Sequence, residues 1–258
     1  MHTGPVGDLD GDANVLVTGA SRGIGLAAVG QLLDTTGVGT VLAVARQASR
    51  SPELVALAGR DARLQLHDVD LADAAAIEAF GRQATASLGQ LHLLLSCAGM
   101  LHADGVRPEK SLSQVGIDAL QRVFALNAFA PILLARALQP ALRHARPAVL
   151  ASISARVGSI GDNALGGWYA YRASKAAQNQ LWKTLSVEMR RINPAAACVL
   201  LHPGTVDTAL SAPFKAGVPE GKLFTPDRAA RQLLDIVAGL DAGDNGRFIA
   251  WDGTDIPW

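Results

Sequence analysis

Tyr171 and Lys175 stand four positions apart in the segment Tyr171-Arg172-Ala173-Ser174-Lys175. On a helix such a pair shares one face, so a phenol and an ammonium reach the same pocket. The chain holds only two tyrosines and five lysines, which makes the spacing hard to obtain by accident, although a solvated helical pair is its plainest reading. A phenol titrating near 10 is a poor base at neutral pH, and an adjacent ammonium favours the phenolate and lowers that value. The same phenol can hand a proton to an alkoxide as hydride arrives at a carbonyl carbon.

The second chemical feature is Thr18-Gly19-Ala20-Ser21-Arg22-Gly23-Ile24-Gly25, lying between a β-branched run and an Ala-rich helical stretch. Gly19 permits a tight turn, Gly23 lets backbone approach a phosphate, and Gly25 lets helix and strand pack closely. The helix start behind them offers free N–H groups and a positive dipole end to a pyrophosphate. A plain strand-to-helix turn is the competing reading. The spacing is GxxxGxG, which differs from the GxGxxG of longer dehydrogenases.

These residues need a scaffold, and the hydrophobic pattern supplies one. Short apolar runs at 14–18, 40–45, 62–67, 91–96, 147–153, 197–202 and 247–251 alternate with helical stretches. That alternation predicts an α/β fold: a Rossmann-like, doubly wound parallel sheet of about seven strands with helices on both faces. A helix opens at the Gly-rich turn, a second covers roughly 113–139 with a kink expected at Pro131, and a third runs from about 168 to 192. The Gly/Pro/Ser-rich segment 203–225 is long for a connection, and its part at about 205–225 is expected to be a substrate lid. Leu210, Pro213, Phe214, Val218, Leu223 and Phe224 would give that lid an apolar inner side.

Composition narrows the class. The 258 residues, with 23 basic and 23 acidic side chains, suit a single domain over 13–258 behind a flexible polar tail, 1–12. Zero net charge leaves no electrostatic footprint for nucleic acid or an anionic membrane surface. Cys97 and Cys198 lie in apolar runs and fit buried thiols in a reducing compartment. The N-terminus lacks a signal-peptide pattern and no run reaches about 20 apolar residues, so a cytoplasmic protein without a membrane span is expected. His67, His92, His102, His144 and His202 make no metal-ligand spacing, and no metal site is expected. Trp168, Trp182, Phe124 and Phe129 lie in the two long helices, as core or as interface.

The glycine turn resembles the cofactor fingerprint of the short-chain dehydrogenases and reductases. Further marks follow in order over residues 13–258: Asp68-Val69, Ser96-Cys97-Ala98-Gly99, Asn127, the Tyr171 and Lys175 segment, and Pro203-Gly204. GSIGDNALGGWYAYRASKAAQNQ and the ending RFIAWDGTDIPW are similar to the branch of Sniffer-type carbonyl reductases and C-factor-like proteins. The resemblance implies that Lys175 holds the nicotinamide ribose and that Asn127 positions a water on the proton path. It implies adenine contact at Asp68 and Val69, backbone contact at Cys97, Ala98 and Gly99, and a carboxamide site at Pro203, Gly204, Val206 and Thr208. Pairing of the Asn127 and Tyr171 helices between subunits, as a homodimer or homotetramer, is a further implication.

The carbonyl-orienting serine departs from the pattern. The family ends its fifth strand in two small polar residues and uses the second, whereas this chain reads Ile153-Ser154-Ala155-Arg156-Val157-Gly158. Aligning Gly158 puts Ala155 at the catalytic position. Ser154, one residue early, needs a bulge or turn to face the site; Ser159, or no serine, are the other readings. Cofactor choice follows charge: Ala45-Arg46-Gln47-Ala48-Ser49-Arg50 holds no acid for ribose hydroxyls, and Arg46 and Arg22 suit a 2′-phosphate. The expectation is an NADP-dependent enzyme, preferring NADP(H) over NAD(H), acting on a small carbonyl or alcohol substrate. The rival is an NADP(H)-binding regulatory or signalling protein with little turnover.

Overall fold

A computed structural model describes residues 4–7, 9–219 and 221–258. The chain runs β1 (Ala13–Thr18), α1 (Gly23–Leu33), β2 (Val38–Ala45), α2 (Pro52–Ala58), β3 (Leu64–Asp68), α3 (Ala74–Leu88) and β4 (Leu93–Ser96). It continues through α4 (Ile117–Phe124), a π turn (Ala125–Phe129), α5 (Ala130–Ala137), α6 (Gln139–Leu142), β5 (Ala148–Ile153) and α7 (Tyr169–Ile192). Then come β6 (Ala196–His202), β7 (Thr205–Val206), β8 (Leu223–Phe224), α8 (Pro226–Ala238) and β9 (Phe248–Ala250).

Seven strands form one sheet in the order β3-β2-β1-β4-β5-β6-β9, and every pairing is parallel. The chain leaves β1 in one direction for β2 and β3, then crosses back to β4 on the other side. The carboxyl ends of β1 and β4 therefore flank the crevice where such sheets bind ligands. The expected fold holds, with strand ends displaced by a few residues.

Side-chain alternation builds a core on each face. Val15, Val17, Leu93, Leu95 and Val199 pack with Val29, Leu32, Leu54 and Leu233 of α1, α2 and α8. Leu16, Leu94, Leu150 and Leu200 pack with Ile77, Phe80, Leu134 and Trp182 of α3, α5 and α7. Each such large side chain contributes about 1.5–3 kcal/mol by leaving water. Trp182, 1% exposed, also donates its indole N–H to the Leu150 carbonyl at 3.1 Å, which ties α7 to β5.

Three expectations change. Residues 1–3 and 8 of the expected tail lie outside the described residues, but Val6 is buried in the α1/α8 core, so that part of the segment is packed. The distortion in the second long helix lies just before Pro131, whose missing N–H leaves the preceding turn of this continuous helix, Ile117–Ala137, one donor short. It is the π turn around Asn127. The run Ile117–Ala137 is, by length and composition, apolar enough to cross a membrane, yet Ala128, Ala130, Leu134 and Ala135 of it are buried in the fold.

The lid is more ordered than a loop. β7 and β8 pair in parallel, with a 3₁₀ turn at Ala212–Gly217 between them. Phe224 is 2% exposed, edge-on to Trp251 at 4.8 Å, so it anchors the lid base and does not line an open pocket. The Phe214 side chain and Glu220 lie outside the described residues.

Candidate active site

The catalytic candidate Tyr171 sits in the first turn of α7, and that turn is built unusually. Its N-cap residue, Trp168, has φ 52° and ψ 44°, the left-handed region that non-glycine residues enter at a cost of about 1–3 kcal/mol. Tryptophan offers no oxygen to the helix's free N–H groups. Glu109, 2% exposed in the loop after β4, takes over: its carbonyl accepts from the Trp168 N–H at 2.5 Å and its Oε2 from the Ala170 N–H at 3.2 Å. Tyr171 follows directly, with the Trp168 ring edge-on at 6.3 Å between centroids.

Lys175 is 3% exposed. Its Nζ donates to the Ile153 carbonyl and to Gln178 Oε1, both at 2.8 Å, and stands 5.9 Å from the Tyr171 ring centroid. A Cβ on Gly158 would lie 2.7 Å from Lys175 Cβ, so the loop after β5 reaches α7 only because that residue is glycine. Burial pushes the ammonium down to about 7 and pushes the Tyr171 phenol up. The expected lowering of the phenol by Lys175 is therefore not found in the free protein. A buried amine that titrates near neutrality supplies too little charge to offset desolvation of the phenolate.

Asn127, fully buried, clamps the strand-end loop to the helices. Its Oδ1 accepts from Met100 N–H at 2.7 Å, and its Nδ2 donates to the Met100 carbonyl at 2.8 Å and to Ser174 Oγ at 3.0 Å. The π turn gives the amide room to bridge all three. Asn127 and Lys175 Nζ meet opposite Gly99, at 3.5 and 3.8 Å from where its Cβ would lie. The structure thus brings Tyr171, Lys175, Asn127 and the β4 end together.

Ser154 is placed elsewhere. Its side chain is 2% exposed and donates to Asn179 Oδ1 of α7 at 2.6 Å. No bulge turns it: β5 keeps an unbroken register with β6 through Ile153, and the Ser154 N–H continues that ladder to the Leu201 carbonyl at 2.8 Å. The expected carbonyl-orienting role is corrected to a bond between strand and helix. Ser159 is buried and accepts from the Asp162 N–H at 3.2 Å.

The glycine turn forms at the crevice. A Cβ on Gly25 would lie 2.4 Å from the Gly19 carbonyl oxygen, and one on Gly19, at φ 65°, would lie 2.9 Å from the Ala98 backbone nitrogen. Gly23 faces the Thr208 side chain of the lid, Ile24 packs on the core, and Ser21 accepts from Ser51 Oγ at 3.5 Å through its carbonyl. Arg22 and Arg46 are exposed, and among the described residues neither forms an ion pair. Thr18 ties the end of β1 to the end of β4: its Oγ1 accepts from the Ala98 N–H at 3.3 Å and meets Ser96 Oγ at 3.5 Å. Burial pushes the Cys97 thiol up to about 12.

Asp68 is held by Ser49, whose Oγ and N–H donate to it at 2.5 and 2.8 Å and keep its carboxyl below the usual range. Val69 is buried and donates its N–H to the Ala45 carbonyl at 2.9 Å. Beyond β6, Pro203 and Val206 are buried, Gly204 has φ 74°, and the Thr208 N–H donates to Ser211 Oγ at 3.2 Å. Among the described residues no cluster of three His, Cys, Asp or Glu could hold a metal ion. Sequence reasoning missed Gln178 and Glu109. The i+3 spacing of Gln178 from Lys175 was a usable signal, whereas Glu109 reaches α7 from a loop about 60 residues away and carried none.

The family model described as short chain dehydrogenase matches residues 13–218. C-signal of Myxococcus xanthus is 36% identical over 148 residues, 57% of this chain and 84% of that protein. The NADPH-bound carbonyl reductase from chicken fatty liver superposes with a TM-score of 0.85 at 30% identity, over 96% of this chain and 100% of its own. Carbonyl reductase Sniffer of D. melanogaster does so with a TM-score of 0.85 at 27% identity and the same coverage. The family match runs from β1 through α7 into the lid, and the chain belongs to the short-chain dehydrogenase family: it is an oxidoreductase acting between CH–OH and C=O groups, in the branch of the Sniffer-type and C-signal-like members.

Proposed function

We propose that this protein is a carbonyl reductase that uses NADP(H) in preference to NAD(H). The observation that carries the reading is the meeting of Tyr171 and Lys175 with Gly99 and Asn127 at the crevice beside the glycine turn. The residues present fit a dinucleotide. The Gly19–Gly25 turn closes tightly on itself and on the β4 end only because these positions are glycine, and the start of α1 behind it offers free N–H groups to a pyrophosphate. Arg22 and Arg46, exposed and without carboxylate partners among the described residues, favour a 2′-phosphate.

Bound NADPH supplies the hydride. The buried, protonated Tyr171 gives its proton to the substrate oxygen, and burial that raises the phenol keeps that proton in place until charge develops there. Lys175 binds the ribose hydroxyls, and Asn127 holds Met100 and α7 in register beside them. Ala155 brings no hydroxyl to the substrate oxygen, a loss worth about a hundredfold in rate by comparison with one oxyanion donor. We further propose one domain over 13–258, a small apolar carbonyl or alcohol substrate beneath the lid, and a homo-oligomer formed through α4, α5 and α7. The free thiols Cys97 and Cys198 suit a reducing, cytoplasmic setting.

Ala155 also favours a second reading, an NADP(H)-binding regulatory protein. NADPH consumption over a panel of aldehydes and ketones, run beside NADPH binding on the same preparation, separates the two. Turnover that Tyr171→Phe abolishes, with binding retained, supports the reductase; tight binding without turnover supports the regulator.

A further inference from the structure

Gln178 is 1% exposed and one turn beyond Lys175, on the same face of α7. Its amide is used on both sides. Oε1 accepts from Lys175 Nζ at 2.8 Å, while Nε2 donates to Ser152 Oγ at 2.7 Å and to the Ile153 carbonyl at 3.2 Å. Turning the amide over would set an NH₂ group against the ammonium and an oxygen against the Ile153 carbonyl, while Ser152 Oγ could serve either orientation. Its orientation is therefore fixed by the strand end beneath it.

We infer that Gln178 is the positioning residue of Lys175: together with the Ile153 carbonyl it occupies two of the three Nζ donors, leaves the third for a ribose hydroxyl, and, being neutral, leaves the amine free to change charge. A primary ammonium on four rotatable bonds has no preferred direction of its own, and losing that freedom in advance strengthens whatever the third donor binds. Neutrality matters as much as direction. A carboxylate at this distance would hold the ammonium charged, as any close opposite charge does. The titratable groups that face Lys175 are Cys97 from the β4 end and Tyr171 from its own helix, and neither carries a negative charge near neutrality. Among the described residues, Asn127, Gly99, the Ile153 carbonyl and Gly158 also lie about it and bring no charge, so a carboxylate at Gln178 would introduce one in direct contact with Nζ. The low titration of the amine agrees with this arrangement. The inference rests on Lys175 facing a cofactor, as proposed above.

The test uses the full chain labelled with ¹³C at lysine Cε, where five lysines give five signals and Lys175→Arg assigns one. In protein without cofactor, the Lys175 signal should titrate near neutrality. Gln178→Glu, which keeps size and acceptor, should raise that midpoint by about one pH unit or more. Gln178→Met should lower it and weaken NADPH binding by about tenfold, the worth of a charge-assisted hydrogen bond. In turnover the Gln178→Glu profile should move to higher pH in step with the Lys175 midpoint, a shift that packing alone would not produce. If Gln178→Met does not fold, Gln178→Glu alone decides. A Lys175 midpoint unchanged in Gln178→Glu overturns the inference. Failure of the wild type to bind NADPH overturns the functional reading instead, while the titration still decides the charge control exerted by Gln178.

Discussion

At the residue scale, the pair Tyr171 and Lys175 was legible because helical spacing alone brings i and i+4 together. Ser154 was not. Strand alternation says which face a side chain takes, but its partner Asn179 lies 25 positions away on α7, and no local signal announces that contact. Ser154→Ala should lower stability by about 1 kcal/mol, one buried hydrogen bond, and leave kcat within about threefold; a large fall in kcat at unchanged stability would restore Ser154 to catalysis. Ala155→Ser should raise kcat, by up to about a hundredfold if the new hydroxyl reaches the substrate oxygen. Steady-state kinetics at saturating NADPH reads both. Arg46→Glu should cut kcat/KM for NADPH by about tenfold or more relative to NADH by setting a carboxylate against the 2′-phosphate; an unchanged ratio would return Arg46 to a plain surface role.

At the scale of elements, what matters is how α7 begins. Its length was visible in the sequence almost to the residue, but its cap was not, since Trp168 is a poor N-cap and the carboxyl that substitutes for one comes from the loop after β4. The same limit applied to the second long helix. Pro131 marked the region, but the form of the irregularity was not readable: a π turn over Ala125–Phe129, just before the proline, that holds the Asn127 amide against three polar partners. Glu109→Ala should lower stability by about 1 kcal/mol, the value of a lost helix cap, and lower kcat because Tyr171 sits on the turn that loosens. Glu109→Gln, which keeps an acceptor for Ala170, should retain more of both. Thermal melting beside kcat measures this, and equal losses in the two variants would place the effect in the charge and not in the cap.

At the scale of the molecule, the doubly wound parallel sheet was implied by seven apolar runs alternating with helices, whereas the strand order that places the crevice at β1 and β4 comes from the structure. The exposed side chains were not implied either. Ile117, Phe129 and Val187 are 65%, 49% and 57% exposed on α4, the π turn and α7, the helices proposed to pair between subunits. Phe129→Glu combined with Val187→Glu should therefore give a smaller species by light scattering than the wild type, with the far-ultraviolet spectrum retained; an unchanged mass would remove these helices from any interface. The zero net charge has also acquired a distribution, with Arg22 and Arg46 at one end of the crevice and a buried amine at the other.

The central claim is that hydride passes to a carbonyl carbon here while Tyr171 supplies the proton. The most direct measurement supplies NADPH carrying deuterium at nicotinamide C4 with an aldehyde or ketone that the wild type reduces, and reads the product alcohol by mass spectrometry. The account predicts one deuterium on the former carbonyl carbon, from one face of the nicotinamide only, and no product with Tyr171→Phe despite retained NADPH binding. Product formation by Tyr171→Phe at the wild-type rate, or tight NADPH binding with no deuterium transferred to any carbonyl offered, would contradict it.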